Sequence, residues 1–83
     1  MKISIEFYGR LKADFSQLPI EIELPSDQPE LRIERIYLDL CEKHDTTPNT
    51  HIIKPILNDT FAEWQDTVKD KDVVGFFPPA SGG

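Results

Sequence analysis

The segment Asp72-Val73-Val74-Gly75-Phe76-Phe77-Pro78-Pro79-Ala80-Ser81-Gly82-Gly83 divides into three parts with different physics. Val73 to Phe77 is a short apolar run, rich in β-branched and aromatic residues, which is the composition of a buried strand. Pro78 and Pro79 have no N–H to give to a ladder and hold φ near the polyproline value, so the strand must end at them. Ala80, Ser81, Gly82 and Gly83 carry too little apolar surface to offset the entropy of ordering them, which predicts a mobile tail. Extended, Pro78 to Gly83 spans roughly 20 Å at about 3.3 Å per residue. Glycine has no Cβ, so a Gly-Gly end suits a narrow channel in another protein. The expected organisation is one domain over residues 1–77 and a flexible tail over 78–83.

Working back along the chain, Ile3, Ile5 and Phe7 alternate with Lys2, Ser4, Glu6 and Tyr8, the period of a half-buried strand. Ile20, Ile22 and Leu24 resume the alternation and Pro25 closes it. Ser26 reads as a helix N-cap, with Asp27 and Glu30 at the positive end of the dipole and Pro29 in the first turn. Ile33, Ile36, Tyr37, Leu40, Cys41 and His44 then form one apolar stripe. Residues 45–50 are a loop by composition. A strand around Ile52 to Leu57 follows, with His51 opening it and Pro55 demoting it to an edge strand or two pieces. Asn58-Asp59 turns the chain, Phe61, Ala62 and Trp64 pair back, and Val68 reaches inward.

The order β, β, α, β, β, β in a small chain suggests an α+β fold of the β-grasp type: a mixed sheet of four to five strands, covered on one face by one main helix. In that arrangement the first and last strands lie parallel at the centre, which explains an almost wholly apolar Val73 to Phe77.

A chain of 83 residues forms one domain and buries only about 60% of its unfolded surface. The net charge of −6 argues against nucleic acid and anionic membranes and suits a basic partner surface. One cysteine and two distant histidines are too few for a metal site of recognised spacing, so none is expected. Cys41 reads as a buried structural thiol. The alternating N-terminus resembles neither a signal peptide nor a membrane span, and the expected location is the cytoplasm.

The ending Phe76-Phe77-Pro78-Pro79-Ala80-Ser81-Gly82-Gly83, with Leu57-Asn58-Asp59, Val68, Asp72-Val73 and the run Ile5 to Leu11, resembles the MoaD family. Those proteins are the small, sulfur-carrying subunits of molybdopterin synthase, in the ubiquitin-like β-grasp superfamily that includes the thiamine-pathway carrier. The resemblance implies that the protein carries an atom and has no active site of its own. An E1-like partner would use ATP to adenylate the Gly83 carboxylate, and sulfur would displace AMP. The thiocarboxylate would then enter the large catalytic subunit and pass its sulfur to a pterin precursor. No cofactor would be bound, and the working form would be a hetero-oligomer.

By the same resemblance Gly83 carries the chemistry, while Gly82, Ser81, Ala80, Pro79 and Pro78 form the arm in the channel. Arg10 matches a recurrent basic position and is a candidate partner contact. Phe76 and Phe77 point to opposite faces of their strand, so one is core and the other an interface candidate. Phe61 and Trp64 raise the same question, with Trp64 expected partly exposed near an edge. Lys71 stands where the family often has glycine, Gly75 where alanine is more usual, and Ser81 is more polar than many residues at its site. A protein modifier using the same activated glycine, a carrier for another pathway, and a plain adaptor remain as alternatives.

Overall fold

The computed structural model describes residues 1–9, 11, 20–24 and 31–78. The expected N-cap at Ser26, with Asp27, Pro29 and Glu30, the candidate contact Arg10 and the arm Pro79 to Gly83 therefore lie outside the described residues.

Five strands, β1 (Lys2–Phe7), β2 (Ile20–Glu23), β3 (Lys54–Leu57), β4 (Thr60–Phe61) and β5 (Val73–Phe77), form one mixed sheet in the order β2-β1-β5-β3-β4. Helix α1 (Ile33–Lys43) covers one face. The alternation in β1 puts Ile3, Ile5 and Phe7 against the helix. At the sheet's centre β5 runs parallel to β1, with Val74 beside Ile5 and Phe76 beside Phe7. Val74 and Phe76 have no exposed surface, and the Phe7 and Phe76 rings stack 5.8 Å apart. The fold is the expected α+β β-grasp.

Ile33, Ile36, Tyr37, Leu40 and Cys41, spaced i, i+3, i+4, i+7 and i+8, are the buried face of α1. Its start differs from the expectation. Leu31 and Arg32 are not helical, so the helix cannot run from Ser26; Arg32 is the N-cap, in an extended conformation and without a side-chain capping bond. Tertiary contacts replace the cap. The Ile33 N–H donates to the Asp66 carbonyl at 2.9 Å and the Glu34 N–H to that of Trp64 at 3.0 Å, satisfying donors that would otherwise be orphaned. At the other end Asp45 takes a left-handed φ of 56°, and the Thr46 and Asp45 N–H groups return to the Cys41 and Glu42 carbonyls, a Schellman stop built without glycine.

Pro55 lies neither on the sheet edge nor in a broken strand. β3 is second from the edge, and β4 pairs only with Ile56 and Leu57. The Pro55 carbonyl accepts from the Ala62 N–H at 3.0 Å, so the proline nitrogen also faces β4, beyond that strand's short ladder. One edge bond is lost and the central pairing with β5 is intact. His51, expected to open β3, sits exposed in the preceding turn, and Trp64 follows β4 without joining it.

Candidate functional site

Because side chains alternate along β5, Val73, Gly75 and Phe77 point away from the helix, onto the sheet's open face. The open choice between the two phenylalanines is thereby decided. Phe76 is fully buried and is withdrawn as a partner contact; Phe77 is 38% exposed. Register puts Ile56 beside Gly75 and Phe61 beside Ile56, so the same face continues across β3 and β4. Phe61 is 69% exposed and meets Phe77 edge-on at 6.3 Å, while Tyr8 meets Phe77 from the β1 side at 5.6 Å. Tyr8, Phe77 and Phe61 thus make an aromatic row across the end of the sheet from which Pro78 leaves.

Two turns hold the row in place. Asn58 and Asp59 have φ of 50° and 68°, the left-handed pair that a two-residue hairpin requires, and this brings Phe61 back beside β3. Asn58 also reaches the start of β5: its amide donates to Asp72 at 3.0 Å and accepts from the Val73 N–H at 2.9 Å. Lys71, at the position often glycine in the family it resembles, has φ of 72°, and its N–H donates to the Lys2 carbonyl at 2.7 Å. Asp72 closes that turn by accepting from the Lys69 N–H at 2.7 Å.

The aromatic row depends on a missing side chain. A Cβ on Gly75 would come within 2.8 Å of the Tyr8 ring, so Tyr8 lies where an alanine methyl would be. The Tyr8 hydroxyl donates to Glu6 at 3.0 Å. That bond, with partial burial and the negative charges of Glu6 and Asp59, raises the phenol above its ordinary 10.0. The next residue, Gly9, has φ of 57°, and a Cβ there would meet the Pro78 ring at 2.9 Å. The turn after β1 is therefore packed against the root of the arm. Tyr8 was not among the expected contacts; its signal was its place on the polar side of the β1 alternation, one residue beyond Phe7.

Trp64 is half-buried, as expected, but its ring belongs to the core side. It stacks on Phe76 at 6.0 Å, contacts Tyr37 at 5.0 Å and donates to the Thr50 carbonyl at 2.9 Å. Trp64 and Phe61 border a cleft of about 450 Å³ at the β4 edge, which Lys54 and Glu63 also line. Cys41 is buried, and burial pushes its thiol above 9.0, partly offset by a hydrogen bond with Tyr37. Among the described residues no three His, Cys, Asp or Glu side chains converge as a metal site would require.

A central parallel pair, one covering helix and a last strand that gives way to Pro78 beside an open aromatic face define a ubiquitin-like β-grasp protein. The sequence profile of the ThiS family matches residues 21–83, and the chain belongs to that family. No curated protein matches it in sequence. Among solved structures it is similar to a Pyrococcus furiosus protein described as molybdopterin converting factor, subunit 1 (22% identity, 95% of this chain and 98% of that one, TM-score 0.74). It is also similar to SAMP1 from Haloferax volcanii (17%, 100% of both chains, 0.74). A third likeness is to a chain of the complex of subunits 1 and 2 of molybdopterin-converting factor from Helicobacter pylori (21%, 100% of both, 0.66). At these identities the likenesses establish the fold.

Proposed function

We propose that this protein is the sulfur-carrier subunit of a molybdopterin synthase, with Gly83 as the residue that is activated. A carboxylate is a poor acyl electrophile because it would have to expel oxide. An E1-like partner would convert it with ATP to an acyl adenylate and pyrophosphate. A sulfur donor then displaces AMP, and the thiocarboxylate delivers its sulfur in the large subunit. Gly82, Ser81, Ala80, Pro79 and Pro78 are the arm that enters that subunit, and Arg10 is a further contact. ATP is consumed by the partner, this chain binds no cofactor, and the process is cytoplasmic.

The observation that carries the reading is the row Tyr8, Phe77 and Phe61, with Phe77 and Phe61 exposed, where β5 hands over to Pro78. Apolar aromatic surface is the usual anchor of a protein partner, and here it adjoins the arm that the partner would receive. Because Pro78, the root of the arm, directly follows Phe77, the arm and the partner's grip would be brought into one interface, with the large subunit completing a hetero-oligomer. Trp64, tied into the core side, contributes at the cleft bordering Phe61.

The test is the intact mass of the protein after incubation with ATP, an E1-like adenylating enzyme and a sulfur donor. Exchange of one oxygen for sulfur at Gly83 is expected; an unchanged mass under conditions that thiolate a known carrier overturns the reading. The similarity to SAMP1 favours one second reading, a protein modifier. It predicts Gly-Gly remnants on lysines of other proteins.

A further inference from the structure

We propose that the free edge of β2, with the apolar groove between β2 and α1, is a second docking site, for an extended basic segment of another protein added as a further strand. The site lies across the sheet from the β4 edge and does not depend on the function proposed for Gly83.

Three observations converge on it. β2 ends the sheet order, and its ladder to β1 fixes which groups are free. Met1 and Leu24 exchange bonds, the Leu24 N–H to the Met1 carbonyl at 2.7 Å and the Met1 amine to the Leu24 carbonyl at 2.9 Å. Alternation then turns the N–H and C=O groups of Ile22 toward β1 and those of Glu21 and Glu23 outward. Among the described residues those outward groups have no ladder partner, an arrangement that invites strand addition. Beside this edge Ile22, Leu24, Leu31, Ile36 and Leu40, together with the charged pair Asp39 and Lys43, line a groove of about 120 Å³, room for one branched aliphatic side chain. Finally, Glu21 and Glu23 stand exposed on the opposite side of the strand, where among the described residues the one ion pair is a 4.0 Å contact between Lys2 and Glu21.

Together these specify the occupant's pattern. A strand added antiparallel to β2 places an apolar residue opposite Ile22, over the groove, and its neighbours opposite Glu21 and Glu23, where lysine or arginine pairs favourably. A second copy of β2 would set glutamate against glutamate and is disfavoured for the same reason. The chain's net charge of −6 further favours a basic segment.

The probe is a synthetic peptide, acetyl-Lys-Val-Lys-Ile-Lys-Val-Lys-amide, made in two isomeric forms. One carries N-methyl groups on its two inner lysines, whose N–H groups would face Glu21 and Glu23. The other carries them on its two valines, whose N–H groups would face solvent. Charge, composition and mass are identical. Titration followed by amide and methyl NMR should give the valine-methylated isomer a Kd on the order of 100 μM or tighter, with the lysine-methylated isomer at least about tenfold weaker. Shifts should centre on Glu21 to Glu23 and on the methyls of Leu31, Ile36 and Leu40. The double variant Glu21→Lys with Glu23→Lys, at exposed positions, should weaken binding about tenfold or more. Equal affinities, no binding of either isomer, or shifts centred on Phe61 and Phe77 overturn the proposal. So do concentration-dependent shifts at Glu21 and Glu23 without peptide, which would assign the edge to a second copy.

Discussion

Phe76 and Phe77 are neighbours in one strand, yet the sheet gives them opposite employment. Phe76 is enclosed by Phe7, Tyr37 and Trp64 beneath α1, each ring within 6.0 Å. Phe77, on the opposite face from α1, meets the rings of Tyr8 and Phe61. The helix face is closed and satisfied; the open face is held in shape by turns and left for contact. Stability and recognition are thus divided between the two sides of a five-residue strand.

The two faces should differ most in what they lose at Phe76. Phe76→Ala should cost about 3–5 kcal/mol, a large share of the roughly 4–12 kcal/mol expected for a domain of this size, and chemical denaturation would show it. Phe77→Ala should cost about 1 kcal/mol or less in the same measurement. Its effect belongs in binding, where loss of a central aromatic anchor is expected to weaken partner affinity tenfold or more by calorimetry. Equal destabilisation by the two variants would erase the distinction drawn here.

Smaller effects are expected in the turns and at Tyr8. Asn58→Ala removes the amide that ties the hairpin to Asp72 and Val73 and should cost about 1–3 kcal/mol; Asn58→Gly, which keeps the left-handed turn, should cost less. Lys71→Gly should stabilise by about 0.5–1 kcal/mol by relieving a left-handed lysine. The smallest effect concerns pH. The Tyr8 phenol is raised above 10.0 in the fold, chiefly by its bond to Glu6, so its contribution is complete below about pH 10 and disappears as the pH rises through the folded value. Tyr8→Phe should remove that alkaline component from a stability profile.

How much of this was legible in the sequence depends on the range of the interaction. β1, the α1 stripe and the Asn58-Asp59 turn follow from periods and local backbone preferences, and they were readable. The start of α1 was not, because its first N–H groups are met by carbonyls of Trp64 and Asp66, some thirty residues away, while a local Ser26 signal pointed elsewhere. Pro55 misled because its meaning depends on which neighbour its nitrogen faces. Alternation placed Phe76 and Phe77 on different faces but could not say which face α1 covers. Tyr8 escaped notice because its partner in shape is an absence, the missing Cβ of Gly75.

The position of β5 has a temporal consequence. It is the last of the five strands in chain order, yet it joins β1–β2 to β3–β4, which share no ladder without it. A ribosome therefore releases both hairpins before supplying the piece that unites them, and closure must wait for contacts as distant in sequence as that of Ser4 with Val73. Such long-range topologies fold slowly for their size, and the waiting hairpins have bare edges prone to misassembly.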